Sequence, residues 1–351
     1  MALTDRLTLG RSGLRVSPLC LGAMTFGDSS GWSCDEPTSL RIIDAFQDAG
    51  GNFIDTADRY TDGRSEETLA KAFASSARRT RAVIATKYTF GGDANDPNSV
   101  GNGRKNAYRA VEESLQRLGT DYIDLYWLHA WDTVTPYQEI AQTFDTLIRA
   151  GKIRYYGLSD VPAWFAARLY DYAESHGLAT PIALHLEYSL AERVIEREHL
   201  PMAATMGLGL CPWSPLAGGL LSGKYSKGEM PKDGRIASLD AGQRKRFESE
   251  QLWTIVDELR SIAAEIGAQP AEVAVNWVVN QYRSTSVIVG ATRESQIASN
   301  IASLGLTLTA DHWKRLDVAS RLPAVAPYNF FLPGRLKMML GGYTGFDRYP
   351  Y

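Results

Sequence analysis

Four side chains of complementary chemistry recur at the ends of apolar segments: Asp55, Tyr60, Lys87 and His129. Asp55 closes "NFID", Tyr60 follows five residues later, Lys87 closes "AVIATK" and His129 closes "YIDLYWLH". A tyrosine, with a reference pKa near ~10, is a weak acid at neutral pH. A nearby ammonium favours the phenolate and lowers that pKa, and Lys87 is placed to supply the charge. Asp55 would keep Lys87 charged and oriented, and His129 would donate a hydrogen bond to a carbonyl oxygen. Together they would protonate an oxygen as negative charge develops on it. That chemistry suits reduction of a carbonyl by hydride, although none of the four supplies the hydride. Singly, each has an ordinary explanation: a strand-end cap for Asp55, a loop anchor for Tyr60, a satisfied core histidine for His129. Lys87 is harder to dismiss, because lysine is rarely buried unpaired. Four such residues at corresponding strand ends favour a functional site.

The elements that must position them alternate between strand and helix. Strand candidates are "SPLCLGAM", "NFID", "AVIATK", "YIDLYWLH", "KIRYYGLS", "PIALHLEY", "LGLCPWSP" and "SVIVGA". Helical periodicity separates them, as in "PTSLRIIDAFQDAGG", where Leu40, Ile43 and Phe46 share a face and Gly50–Gly51 stop the helix. Such alternation implies right-handed crossovers and a parallel sheet, and eight units suit a closed (β/α)8 TIM barrel. In that fold the C-terminal strand ends carry the chemistry. The whole chain, 1–351, is expected to be one domain. An N-terminal hairpin (1–18) turns at Ser12–Gly13, a long connection covers 212–247, two extra helices fill 252–282, and an aromatic tail spans 322–351. Thr135 is a candidate N-cap, with Pro136 at the first helical position and Gln138 completing a capping box. The glycine-rich stretch 91–103, "GGDANDPNSVGNG", lacks the G-x-G-x-x-G pattern and reads as a mobile substrate-side loop.

Composition narrows the classes. The 351 residues are 44% hydrophobic and 22% charged, an ordinary globular balance. A net charge of −3 offers no basic footprint for nucleic acid. No run of eighteen apolar residues predicts a membrane span, and the first twenty residues hold no signal-peptide core. Cys20, Cys34 and Cys211 are spaced for neither a disulfide framework nor a metal site. A cytoplasmic protein without metal is expected.

The motifs "LGAMTFG" (21–27), "GGNFIDTADRY" (50–60), "ATKY" (85–88), "DLYWLHAWD" (124–132), "GKIRYYGLSD" (151–160), "WSPLAGGLLSGKY" (213–225) and "VGATRESQIASN" (289–300) follow in order. Over nearly its whole length the chain resembles the aldo-keto reductase family. The resemblance implies a barrel, a nicotinamide cofactor bound extended without a Rossmann fold, and a tetrad of Asp55, Tyr60, Lys87 and His129 with Tyr60 as proton donor. It places Trp213 against the nicotinamide ring, a tryptophan being typical of the branch that contains potassium-channel β subunits. Ser159 and Asp160 match the pair contacting the carboxamide, although Asn is commoner at the second position. His185 stands where glutamine is usual. Ser214, Leu216 and Lys224 resemble the loop folded over the pyrophosphate, with Arg235 reaching the same region. Gly290, Gln296 and Asn300 fall at the adenine, and Arg293, near a helix N-terminus, is a candidate ligand for the 2′-phosphate of NADPH. The expected activity is NADPH-dependent reduction of an aldehyde or ketone, its partner a small carbonyl compound. The alternatives are an alcohol-oxidising NADP-dependent dehydrogenase and an NADPH-binding, redox-sensing accessory protein with little turnover. Phe26, Trp32, Tyr88, Trp131 and the tail aromatics are candidates for the substrate pocket walls, and the tail packs on the mouth, on outer helices or on a second subunit of a homo-oligomer.

Overall fold

The computed structural model describes residues 1–28, 31–93, 95–228, 249–281 and 284–342. Strands β1 (Leu7–Thr8) and β2 (Arg15–Val16) pair antiparallel as the expected hairpin. Its turn is held by Ser12, whose hydroxyl donates to the Leu9 carbonyl and accepts from the Leu14 amide. Eight parallel strands follow: β3 (Leu19–Gly22), β4 (Phe53–Asp55), β5 (Val83–Tyr88), β6 (Ile123–Leu128), β7 (Ile153–Ser159), β8 (Ala183–Glu187), β9 (Gly209–Trp213) and β10 (Val287–Gly290). From β3 to β8 each pairs with the next, β10 pairs with β3, and a bridge between Leu210 and Ser284 brings β9 to the segment entering β10. This is a nearly closed (β/α)8 barrel.

Helices α1 (Glu36–Asp48), α2 (Arg64–Ala72), α3 (Ser76–Arg81), α4 (Arg104–Leu118), α5 (Tyr137–Arg149), α6 (Ala163–Ser175) and α7 (His199–Met206) fill the crossovers from β3 to β9. Two helices, α8 (Glu250–Ile266) and α9 (Pro270–Val279), precede β10. Then come α10 (Glu294–Ala302), α11 (Ala310–Ser320) and, in the tail, α12 (Pro333–Met339). None of the described helices is long and apolar enough to cross a membrane.

The two-residue period of a strand explains how the barrel positions its site. Cys20, Phe53, Ala85, Trp127, Ala183 and Cys211 belong to one buried cluster, the barrel interior. Their neighbours Leu21, Ile54, Ile84, Tyr126, Leu184 and Leu210 belong to the second cluster, between strands and helices. Leu9 and Val16 of the hairpin join the interior cluster, so the hairpin plugs the N-terminal end. Two residues further along each interior row stand Gly22, Asp55, Lys87, His129, His185 and Trp213. The alternation that buries the interior therefore turns these residues toward the C-terminal mouth. Trp127 fits only because β7 has Gly157 beside it: a Cβ there would lie 2.2 Å from the indole.

Two expectations need correction. Thr135 does not cap α5. Its hydroxyl donates to Asp132 Oδ2 at 2.6 Å, its amide donates to Asp132 Oδ1, and Pro136 takes the cap position without a side-chain bond. Tied to Asp132 through both its hydroxyl and its amide, Thr135 sits one residue before the cap position. The end of the stretch 91–103, at Asn102, is stitched to the loop after β6 rather than loose. Asn102 is fully buried; its side chain donates to Ala130 O and Thr89 Oγ1 and accepts from the Asp132 amide, while Asp132 Oδ2 accepts from the Asn102 amide.

Candidate active site

Asp55 and Lys87 are both buried, at 2% and 0% exposure. The Lys87 ammonium donates to Asp55 Oδ2, to the Thr56 carbonyl at 2.7 Å and to the Tyr60 hydroxyl at 3.3 Å. The same ammonium lies 4.7 Å from the centre of the Tyr60 ring. Tyr60 arrives from a tight turn in which Thr61 and Asp62 adopt left-handed backbone, φ 47° and 55°. Its turn is anchored by the Thr61 hydroxyl, which donates to the Phe26 carbonyl at 2.7 Å. His129 stands edge-on to Tyr60, ring centres 5.7 Å apart, and is backed by Phe90 at 5.0 Å. The structure thus brings the four sequence-derived residues to one point of the mouth.

Their protonation follows from burial and charge. Burial opposes ionisation of Asp55, but Lys87 and His185 outweigh it and hold the carboxyl below its ordinary value. Burial likewise disfavours the Lys87 cation, and Asp55 and Tyr60 reverse that, raising it. For Tyr60, burial dominates: its pKa lies above the ordinary phenol value although Lys87 pulls it down. The sequence reading, that the ammonium lowers it on balance, is thereby corrected. Tyr60 is a protonated phenol that donates or keeps its proton, with a cation ready to stabilise the anion left behind. Burial, followed by the Lys87 charge, pushes His129 well below its usual value, so its imidazole is neutral.

Along the mouth from β7 to β10 lie the other candidates. Ser159 is buried, its hydroxyl 3.0 Å from His185 Nδ1. Asp160, in left-handed backbone at φ 46°, accepts from Trp213 Nε1 at 3.1 Å. Burial raises its carboxyl above the usual range, against the pull of His185. Ser214 (φ 57°) accepts the Gly218 amide at 3.1 Å and starts a tightly wound stretch that includes Leu216. Lys224 is exposed, its ammonium 4.6 Å over the Tyr225 ring. Gly290 ends β10; its carbonyl accepts from Asn300 at 3.3 Å, and Gln296 accepts from the Thr292 amide at 2.8 Å. Arg293 is exposed at the N-cap of α10. Arg235 lies outside the described residues.

Phe26 and Tyr88, expected as pocket walls, are core residues with no exposed surface; Tyr88 stacks on Tyr126 instead. Phe90, 48% exposed beside His129, was not anticipated, and neither was Trp164, which meets the half-buried Trp131 edge-on at 5.4 Å. Phe90 lies three residues beyond Lys87, and a strand end already marked by a lysine was the available signal. The tail bonds to the segment after β8: the Arg197 guanidinium donates to the Pro323 carbonyl at 3.0 Å, and Tyr328 donates to Glu198.

An α/β barrel with a polar cluster at its C-terminal mouth is the class that the structure defines, and sequence comparison gives the family. The family described as "Aldo/keto reductase family" matches residues 18–321, and the chain belongs to it. A norsolorinic acid reductase of Aspergillus flavus is 33% identical over 336 residues, 93% of this chain and 83% of that protein. A probable voltage-gated potassium channel subunit beta of Oryza sativa subsp. japonica is 38% identical over 300 residues, 84% of this chain and 90% of that protein. An aryl-alcohol dehydrogenase of Pestalotiopsis microspora is 31% identical over 341 residues, 93% of this chain and 84% of that protein. As a family member the chain is an oxidoreductase of carbonyl and alcohol groups on small molecules, served by a nicotinamide cofactor.

Proposed function

We propose that the protein reduces aldehydes or ketones to alcohols with NADPH, and that Tyr60 delivers the proton. The observation that carries this reading is the bonded series Asp55–Lys87–Tyr60 with a neutral His129 beside it. A protonated phenol against an ammonium gives up its proton only when an oxygen nearby becomes basic. Lys87 then stabilises the phenolate, Asp55 keeps Lys87 charged, and His129 orients the carbonyl oxygen.

The residues at the mouth suit a dinucleotide. Gly218 is open, with nothing within 4 Å of a Cβ placed on it, so its backbone admits close approach. Neither Lys224 nor Arg293 pairs with a carboxylate among the described residues, leaving both cations for phosphates. Trp213 would stack on the nicotinamide, Ser159 and Asp160 would meet its carboxamide, Ser214, Leu216 and Lys224 would hold the pyrophosphate, with Arg235 alongside, and Gly290, Gln296 and Asn300 would hold the adenine. Arg293 would read the 2′-phosphate, selecting NADPH. When bound, the cofactor supplies the hydride. The relative named as an aryl-alcohol dehydrogenase supports the reverse direction at the same site, and the relatives' names favour aryl carbonyls as first substrates to try.

NADPH oxidation with a panel of aryl and alkyl aldehydes and ketones tests the activity. Tyr60→Phe lowers kcat by ~10²–10⁴-fold, the usual worth of general acid help, with NADPH affinity nearly unchanged. A near-parental kcat, with chemistry rate-limiting, overturns the assignment.

A further inference from the structure

His185 stands where a residue facing the cofactor is expected, and its ring nitrogens lie beside Ser159 and Asp55. The side chain is 4% exposed and packs against the Trp127 indole, ring centres 5.3 Å apart. Nδ1 lies 3.0 Å from the Ser159 hydroxyl, and Nε2 lies 3.6 Å from Asp55 Oδ2, within charge–dipole reach though too long for a hydrogen bond. Neither His185 Nε2 nor Asp55 Oδ1 has a hydrogen-bond partner, so each of these neighbouring residues leaves one buried polar atom unsatisfied. A carboxylate only accepts, which places a ring hydrogen on Nε2 and sets Nδ1 against the Ser159 hydroxyl. The charged and titratable groups around the ring are Asp55 on β4, Lys87 on β5, His129 after β6, Asp160 after β7 and Cys211, its register partner on β9.

We propose that His185 is a positioning residue for the proton donor: Ser159 holds its Nε2–H against Asp55, where it shares the carboxylate with Lys87 and leaves more of the Lys87 charge on Tyr60. This rests on the reading of Tyr60 as the acid. Without the imidazole, Asp55 satisfies itself on Lys87 alone, the ammonium is more fully neutralised, and the Tyr60 phenol becomes a weaker acid. His185 then contributes to kcat through Tyr60 and little to cofactor affinity, whereas a carboxamide ligand would do the reverse.

The test titrates Tyr60 in cofactor-free protein. Fluorotyrosine substitution brings the phenol into an accessible pH range, fluorine NMR follows it, and Tyr60→Phe identifies its resonance. In His185→Phe the Tyr60 midpoint rises by about half a unit or more. Ser159→Ala, which frees the ring without removing it, moves the midpoint the same way by less and serves if His185→Phe does not fold. His185→Gln, whose amide N–H can face Asp55, restores it toward the parent. In turnover, His185→Phe lowers kcat by about 3-fold, the rate equivalent of such a shift, with NADPH Kd within about twofold. An unmoved Tyr60 midpoint in the folded His185→Phe and Ser159→Ala variants overturns the proposal. So does a weakened NADPH Kd with kcat and midpoint unchanged. Should the parent reduce no carbonyl, the proposed activity fails by itself, and the cofactor-free titration still decides the role of His185.

Discussion

Asp58 sits between the catalytic candidates Asp55 and Tyr60, and its carboxyl is buried without a partner. It is 5% exposed, and neither oxygen makes a hydrogen bond. The carboxyl is pressed on the backbone of Gly91, where an added Cβ would lie 2.3 Å from its Cγ. Burial, followed by the charge of Glu66, lifts its pKa from 3.8 to about 7; Arg117 and Arg109 on α4 oppose the rise, and the Arg59 amide lies close without hydrogen-bond geometry. Because the folded value is raised, the folded state binds the proton more tightly than the unfolded chain does. The contribution of Asp58 to stability is therefore most favourable below pH ~4, is lost as the pH climbs to ~7, and stays lost above it. A difference of about three units, at ~1.36 kcal/mol each, makes the full cost about 4 kcal/mol. Asp58→Asn removes the charge and keeps the shape. Its stability relative to the parent should improve by about 3 kcal/mol between pH 5 and pH 8, the part of the titration that lies in that window. Denaturant unfolding of both proteins at the two pH values measures this. A difference that is the same at both would mean that Asp58 ionises freely and that the burial argument is wrong.

Two further outcomes follow from the cofactor reading and the tail. Arg293→Ala should weaken NADPH by roughly 10–150-fold, the worth of a charge-assisted hydrogen bond, and spare NADH; equal loss for both cofactors would make the arginine structural. Truncation after Pro323 removes a segment beyond the family match, in which Tyr328 donates to Glu198. If the tail lines the pocket, the shortened protein stays folded and binds NADPH while KM and substrate preference change. Unfolding, or a changed oligomeric state with unaltered kinetics per site, would refute the pocket role.

What was legible in the sequence was the part governed by short periods. Asp55, Lys87 and His129 each end a buried apolar run, and the barrel turns every second residue of such runs inward, so their meeting follows from spacing. Gly50 and the hairpin at Ser12–Gly13 were readable for the same local reason. Thr135 was misread because a capping box describes only one helix, while Asp132, the carboxylate to which Thr135 donates, belongs to the loop before it. Helix α11 went unread although Thr309 caps it through the His312 amide, with His312 bonding back to the Thr309 amide. A histidine in the capping-box position lacks the glutamate signature that usually announces such a start.

The error over Tyr60 has a different origin, and it explains why the finer electrostatics of the site escape the sequence. The sign of a charge is written in the residue type, so the pull of Lys87 on the phenol was foreseeable. The burial that opposes it depends on how many elements converge on the ring: the turn at Thr61, the His129 ring and the end of β5. No spacing rule counts them. Asp58 makes the same point from the other side. It lies one residue from Arg59, as if on an exposed polar turn, yet Gly91 closes over it from a loop that follows β5. In both cases the sequence names the charges, and only the packed barrel decides which of them survive without water.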